Sequence, residues 1–165
     1  MRYQHCPKCG GVLSIEKTQD KNKPQCTQCS FIFYQNPAVG VAAIVIEEGK
    51  LLLGKRIGSY SGQWCIPCGY VEWDEDVYDA AKREFYEETG LQIEISHVYT
   101  VLSNFHNPAQ HTVGIWFMAK KAAGKEQAGD DLEEAAYFTY SDIPELAFPT
   151  DRVVIEKLKE EGWID

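Results

Sequence analysis

The sequence predicts an α/β domain over residues 35–165, preceded by a small metal-ordered unit over residues 1–34. Two observations predict this. After Pro37, short apolar runs of strand character alternate with two segments of helical period. Before it, cysteines come in pairs and the apolar content is too small for a core of its own. The length of 165 residues, with 44% apolar and 12% aromatic side chains, suits one domain with an appendage and excludes extensive disorder. The longest apolar runs, 39–46 and 113–119, fall far short of the ~20 residues that cross a bilayer, and no apolar export signal is visible at the start. A cytoplasmic protein without membrane contact is therefore expected. The net charge of −9 repels polyanions, which disfavours nucleic acid as a partner but leaves phosphate binding through metal ions open.

Taken in order, Cys6-x-x-Cys9 and Cys26-x-x-Cys29 are separated by sixteen residues, the spacing of a tetrahedral four-thiolate zinc site. Such a site has no open position, so the Zn²⁺ would be structural and would supply much of the folding free energy. Unpaired structural cysteines or two redox pairs are the alternatives. A polar stretch, 14–25, separates the pairs, and Tyr34-Gln-Asn-Pro37 marks the boundary. Runs 38–46 and 50–55 around Glu47-Glu48-Gly49 read as a hairpin. A Gly/Ser-rich loop, 58–62, leads to an apolar strand-like run, 64–71. It contains Cys65 and Cys68, a third pair with no second pair to complete a site, so a structural role is expected. A helix over 76–88 follows, with Asp74 as its N-cap and Gly90 as a left-handed C-cap. Strands are expected at 92–102, 112–119 and 134–138, with a polar loop over 120–131. A last helix, 151–161, presents Val154, Ile155 and Leu158 on one side.

The first helix carries the chemistry. At about 100° per residue, Val77, Ala81 and Phe85 form one stripe, Glu84 and Glu88 fall within it, Glu87 lies beside it, and Asp79, Lys82 and Tyr86 stand opposite. Solvated charges belong opposite the core; these border it. Carboxylates at i, i+3 and i+4 on a sheltered face repel one another and require a cation, and oxygen donors favour Mg²⁺, with Mn²⁺ or Ca²⁺ as competitors. Arg83 is placed to hold a carboxylate or meet a phosphate.

The segment 69–91 is Gly69, five residues, Glu75, seven residues, then Arg83-Glu84-Phe85-Tyr86-Glu87-Glu88-Thr89-Gly90-Leu91. It resembles the signature of the Nudix hydrolases, departing from the usual pattern in the aromatic Phe85 and in Cys68 before the first glycine. Outside the signature, the paired cysteines, Tyr34-Gln-Asn-Pro37, Trp64-x-Ile66-Pro67 and Leu146-Ala-Phe148 are similar to the zinc-ribbon group of that family. This group includes NADH pyrophosphatases and FAD/ADP-ribose pyrophosphatases. The latter are the closer match, because Ser103-Asn-Phe-His-Asn-Pro108 stands where NADH enzymes carry Ser-Gln-Pro-Trp-Pro-Phe-Pro.

The resemblance implies an α/β/α sandwich around a mixed sheet, behind an N-terminal zinc ribbon. It implies hydrolysis of a nucleoside diphosphate linked to another group, with ADP-ribose or FAD as the expected dinucleotide and AMP as product. Glu84, Glu87 and Glu88 would hold Mg²⁺ or Mn²⁺, Arg83 would orient them, and Glu75 would pair with Arg83; Gly69, Glu75 and Gly90 are the structural positions. Glu134 is the candidate general base, with Glu133 as rival and a solvated acidic loop as the plain alternative. His106 and His111 are given packing or solvent roles. Tyr34, Phe33, Tyr60, Trp73, Phe105 and Trp116 are candidate platforms for a base, most of them expected in the core. A homodimer is expected from the group. The competing functions are an NADH or NAD-cap pyrophosphatase and a non-catalytic nucleotide-sensing module; the intact carboxylate set argues against the latter.

Overall fold

The computed structural model describes residues 3–15 and 23–165, and the chain divides into two compact units that meet in sequence at Pro37 and Ala38. In the first unit, two short strands, β1 (Leu13–Ser14) and β2 (Gln25–Cys26), pair antiparallel with Leu13 opposite Cys26. Its apolar centre is no more than Cys6, Leu13 and Cys26, with Phe31 and Phe33 against them and the Tyr3 ring edge-on to Phe33. Of the polar stretch 14–25, residues 16–22 lie outside the described residues.

The second unit begins with the expected hairpin, β3 (Ala38–Glu47) and β4 (Lys50–Arg56). Glu48 and Gly49 both take positive φ, 49° and 73°, the pair of values a two-residue turn of matching twist requires. Then come β5 (Trp64–Cys65), β6 (Cys68–Tyr70), α1 (Val77–Thr89), β7 (Leu91–Asn104), β8 (Thr112–Gly124), β9 (Leu132–Phe138), a 3-10 turn at Tyr140–Asp142 and α2 (Pro149–Glu160). The sheet runs β5-β4-β3-β8-β7, with β6 paired to β3 and β9 to β4. It is mixed, since β3 and β8 are parallel from Ala38↔Thr112 to Val45↔Ala119 while the other pairs are antiparallel.

Alternation along the strands makes the layers. Ala42 and Ile44 of β3, Leu51 and Leu53 of β4, and Trp116 and Met118 of β8 face one side, where Val154, Ile155 and Leu158 of α2 cover them. Ala43, Val45, Leu52 and Ala119 face the other, where Phe85 of α1 packs. Both faces of the sheet are thus buried, which is why β3 and β8 read as near-continuous apolar runs. The result is the α/β/α arrangement.

Several boundaries differ from the sequence reading, four of them for a visible reason. The run 64–71 is two short strands, because β5 pairs with β4 whereas β6 pairs with β3, and Ile66-Pro67 makes the change of partner. The N-cap of α1 is Asp76, whose side chain accepts from Tyr78 N–H, and Asp74 lies in the preceding turn. Strand β8 continues through the polar residues Lys120–Gly124 because backbone pairing with β7, from Leu91↔Gly124 to Asn104↔Thr112, holds it whatever its side chains. Helix α2 begins at Pro149, two residues earlier, with proline in its first turn where a missing N–H costs nothing.

Candidate functional site: a thiol cluster and an acid-walled cleft

In the first unit, Cys6, Cys9, Cys26 and Cys29 bring their sulfurs within 4.8 Å of one another. Cys6–Cys29, Cys9–Cys26 and Cys9–Cys29 are 3.8, 3.5 and 3.4 Å apart. A tetrahedral zinc with Zn–S bonds of about 2.3 Å sets S···S edges of about 3.8 Å, so the cluster is compatible with a zinc ribbon. Lys8 and Gln28 N–H donate to Cys6 and Cys26 sulfurs, each at 3.4 Å. Backbone donors at Cys29 and Gln28 pull the Cys26 thiol down to about 6, while the facing sulfurs of Cys29 and Cys26 push Cys9 up to about 12, so without a cation the four sulfurs share their protons unequally.

In the second unit, α1 delivers Glu84 and Glu88 to a cleft of about 490 Å³ that Gly69, Arg56, Asp130 and Asp131 also line. The helix holds its acids apart by different means. Arg83 grips Glu75 through two bonds of 2.7 Å, donates to Glu84 at 2.8 Å and Glu87 at 3.1 Å, and reaches the Tyr70 carbonyl at 3.2 Å. The bidentate Arg83 contact pulls Glu75 down to about 2. Gly69 is required by approach: a Cβ there would stand 2.0 Å from the Glu84 carboxyl carbon. Gly90, at φ 70°, ends the helix with its N–H on the Tyr86 carbonyl.

Glu88 is buried, with the Cys68 N–H donating to it at 2.7 Å. Burial, reinforced by Cys65 and Asp131, pushes it up to about 11, so the carboxyl is neutral at pH 7 unless a cation faces it. Asp131 accepts from Arg56, while its Oδ1 is buried with no hydrogen-bond partner. Arg56 is nearly buried; it also donates to the Ser59 carbonyl and the Cys65 sulfur and lies over the Phe148 ring. Burial raises Glu84 above the usual carboxylate range against the pull of Arg83.

The sequence-picked residues separate into three groups. Glu84, Glu88 and Gly69 line the cleft; Arg83 and Glu75 stand behind it as a brace, and Glu87 is on the braced but exposed side. Glu134 is exposed on β9 opposite Lys55 and is not among the lining residues. A bulge in the β4–β9 pairing leaves both it and Glu133 exposed, with Glu133 bonded to Lys55. The downstream acids that do reach the cleft are Asp130 and Asp131, just before the strand. Of the aromatic candidates, Tyr60 and Trp116 line the cleft, whereas Phe33 and Tyr34 belong to the first unit and Trp73 and Phe105 are exposed. His106 also lines it, its Nε2 3.0 Å from the Tyr60 hydroxyl, and His111 stacks edge-on to Phe105. Sequence reasoning missed Arg56, Asp130, Asp131 and Asp151; Arg56 follows Lys55 at the end of β4, where a basic residue reads as an exposed strand end, so the sequence carries no signal of its burial. Cys65 is fully buried, and its hydrogen bond with Cys68, together with burial, holds the Cys68 thiol well above its usual range, so Cys68 stays protonated. Among the described residues no helix is long and apolar enough to cross a membrane.

Comparison with known proteins extends this picture over most of the chain. The profile of the NUDIX domain matches residues 35–158. An ADP-ribose pyrophosphatase of Methanocaldococcus jannaschii is 34% identical over 128 residues, covering 76% of this chain and 76% of that protein. The NAD-capped RNA hydrolase NudC of Haemophilus influenzae is 29% identical over 161 residues, covering 94% of this chain and 58% of that protein. Among solved structures, a NUDIX hydrolase from Nitrosomonas europaea superposes with a TM-score of 0.83 at 33% identity, over 96% of this chain and 92% of that one. With the signature segment folded as the helix that walls the cleft, the chain belongs to the NUDIX family and is one of its hydrolases.

Proposed function

We propose that the chain is a divalent-cation-dependent pyrophosphatase that cleaves a nucleoside diphosphate linked to another group, with ADP-ribose or FAD as substrate and AMP as product. The observation that carries the reading is the cleft, in which one wall is built from carboxylates and other lining groups are aromatic and polar. The donor set fits a hard cation. Glu84, Glu88, Asp130 and Asp131 offer oxygens only, and the buried Glu88 and Asp131 carboxyls stand against each other, an arrangement satisfied by a shared proton or by a cation. Glu84 and Glu88 would hold Mg²⁺ or Mn²⁺ directly, and Glu87, on the braced side, would join through its outer oxygen. When bound, the cation neutralises charge on the phosphate oxygens as water attacks phosphorus.

The chain's own groups do the rest. Arg83 fixes the rotamers of Glu84 and Glu87 from behind, and Glu75 fixes Arg83. Arg56, held by Asp131, faces the diphosphate and offsets its charge. Asp131, oriented by Arg56 and lining the cleft, accepts the proton of the attacking water; Glu134, exposed on β9, is the alternative base. In the first unit, the four thiols bind Zn²⁺ with no position left for substrate, which makes that metal structural. The ADP-ribose pyrophosphatase relative supports ADP-ribose, and the NudC relative supports NADH or an NAD-capped end as the second reading. Incubation with Mg²⁺ and a panel of ADP-ribose, FAD, NADH, NAD⁺ and nucleoside triphosphates, with products separated by chromatography, tests it. Selective release of AMP from ADP-ribose or FAD is expected; preference for NADH selects the second reading, and no turnover by folded, zinc-loaded protein overturns both.

A further inference from the structure

Cys65 and Cys68 take no part in the chemistry above, yet they stand at its edge. Cys65 ends β5 and is fully buried, whereas Cys68 opens β6, is only partly buried and lines the cleft. The Cys68 thiol donates a hydrogen bond to the Cys65 sulfur. The Arg56 guanidinium points at the same sulfur, with its Nη1 at 3.7 Å. A hard divalent cation prefers oxygen donors, so two thiols in this corner are not explained by the carboxylate site they adjoin.

Both ends of the pair are tied to that site. The Cys68 N–H donates to Glu88 at 2.7 Å, and the Cys65 sulfur is one of the groups that hold Arg56 in the wall. The turn between them is pinned. The Ile66 N–H donates to the buried Asp151 at 3.0 Å, and the Pro67 carbonyl accepts from the Ala43 N–H at 3.2 Å. Asp151 also accepts the Trp116 indole N–H at 3.3 Å, and Trp116 lies against its own strand over Gly114, where a Cβ would be 2.5 Å from the ring. Sulfurs already in contact have only to draw together to a bond of about 2.05 Å, and with the turn pinned and Cys65 enclosed the movement falls on Cys68.

We propose that Cys65 and Cys68 are a dithiol pair that closes to a disulfide against a small-molecule disulfide of the glutathione class, and that closure lowers turnover by drawing the Cys68 N–H away from Glu88 and the Cys65 sulfur away from Arg56. The reagent enters through the cleft of about 490 Å³ onto which Cys68 opens. The Cys68 sulfur attacks it: the S–S bond of the reagent breaks, a mixed disulfide forms, and one small thiol leaves with the Cys68 proton. The Cys65 sulfur then attacks the Cys68 sulfur, and the second small thiol leaves with the Cys65 proton. The pair gives up two electrons and the reagent takes both. The effect on turnover rests on the pyrophosphatase reading; closure of the pair does not.

In the experiment, the full zinc-loaded protein is equilibrated in glutathione mixtures with a rising oxidised share, and the remaining thiols are blocked with an alkylating reagent. The tryptic peptide 57–82, which holds Cys65 and Cys68 and no other cysteine, is then weighed. The expected peptide lacks two hydrogens and carries no label. Turnover of ADP-ribose with Mg²⁺ is expected to fall in step by about tenfold or more, and to return on addition of dithiothreitol, since a displacement near 1 Å is worth up to about 100-fold. Zinc measured alongside should stay at its starting value, which separates this change from oxidation of the first unit. Cys68→Ala keeps the N–H that holds Glu88 and removes the sulfur, so its turnover should be the same in reduced and oxidised mixtures; a loss like that of the wild type overturns the proposal. A wild-type peptide that keeps both labels, or carries glutathione, in the most oxidising mixture overturns it without any variant. Closure with unchanged turnover overturns the coupling to Glu88 and Arg56. If the reduced protein turns over no member of the substrate panel, the pyrophosphatase reading falls by itself, and the peptide mass still decides whether the pair closes.

Discussion

The chain carries a cluster of four thiols and a helical wall of carboxylates, and they are prepared in opposite ways. In the first unit the four cysteine sulfurs stand within 4.8 Å of one another around an apolar centre of a few side chains. In the second, the acids are carried by a helix packed on a large core, and each is held by something else: Glu84 and Glu87 by Arg83, Glu88 by the Cys68 N–H. The first unit has little core beside its thiols, whereas the helix that bears the acids is packed on a large one. On the proposed reading a metal contributes to folding in one unit and to chemistry in the other.

The largest expected effect breaks the first half of that contrast. Cys26→Ser removes one of four ligands, and zinc measured by elemental analysis should fall from about one equivalent to none, because structural zinc sites carry ~10 kcal/mol or more of the folding free energy of such units. The melting transition of residues 38–165 should persist; retention of full zinc would contradict the assignment. The second half is tested by Glu88→Gln, which keeps the volume and removes one acceptor oxygen facing the cleft. Turnover should drop by at least about 100-fold with the circular dichroism spectrum unchanged. Near-normal turnover would remove Glu88 from the metal site.

Gly69→Ala separates position from charge. The new Cβ collides with the Glu84 carboxyl, the far end of a flexible side chain, so the chain refolds around it at little cost in stability while the carboxylate moves. A fall of about tenfold or more in kcat, with thermal midpoint nearly unchanged, is expected, since a displacement near 1 Å is worth up to about 100-fold. The smallest effect is on acid stability. Glu75 is depressed from 4.5 to about 2 by Arg83, so its contribution to stability is complete above about pH 4.5 and vanishes as pH falls through about 2. Denaturant titrations of Glu75→Gln should therefore show a shallower loss across that window than the wild type; parallel curves would mean that the Arg83 brace contributes nothing to folding.

The difference between the clusters also explains what was legible in the sequence. A thiol site of this kind is written in two tight turns, so Cys6-x-x-Cys9 and Cys26-x-x-Cys29 are enough. The helical part of the cleft is legible for the same reason, since Glu84, Glu88 and Phe85 share one turn-to-turn relation and Gly90 closes it. Apolar runs of strand length on either side of Glu47-Glu48-Gly49 made β3, β4 and their hairpin readable. What could not be read are groups brought in by long-range pairing. Arg56 and Asp131 meet across 75 positions, and Asp151 meets Ile66 across 85. In sequence, Asp151 resembles any acid favoured in the first turn of a helix. Glu134 was chosen by distance along the chain, and a bulge between β4 and β9 that composition does not announce leaves it exposed.

The absence of a side chain at Gly114 has one further consequence. Because Trp116 rests on bare backbone there, the room beside Asp151 is hollowed out of strand β8, away from the helix that bears the acids. The two walls of the cleft are therefore independent of each other: a side chain at position 114 collides with the Trp116 indole on β8, whereas Glu84, Glu88 and their Arg83 brace stand on α1.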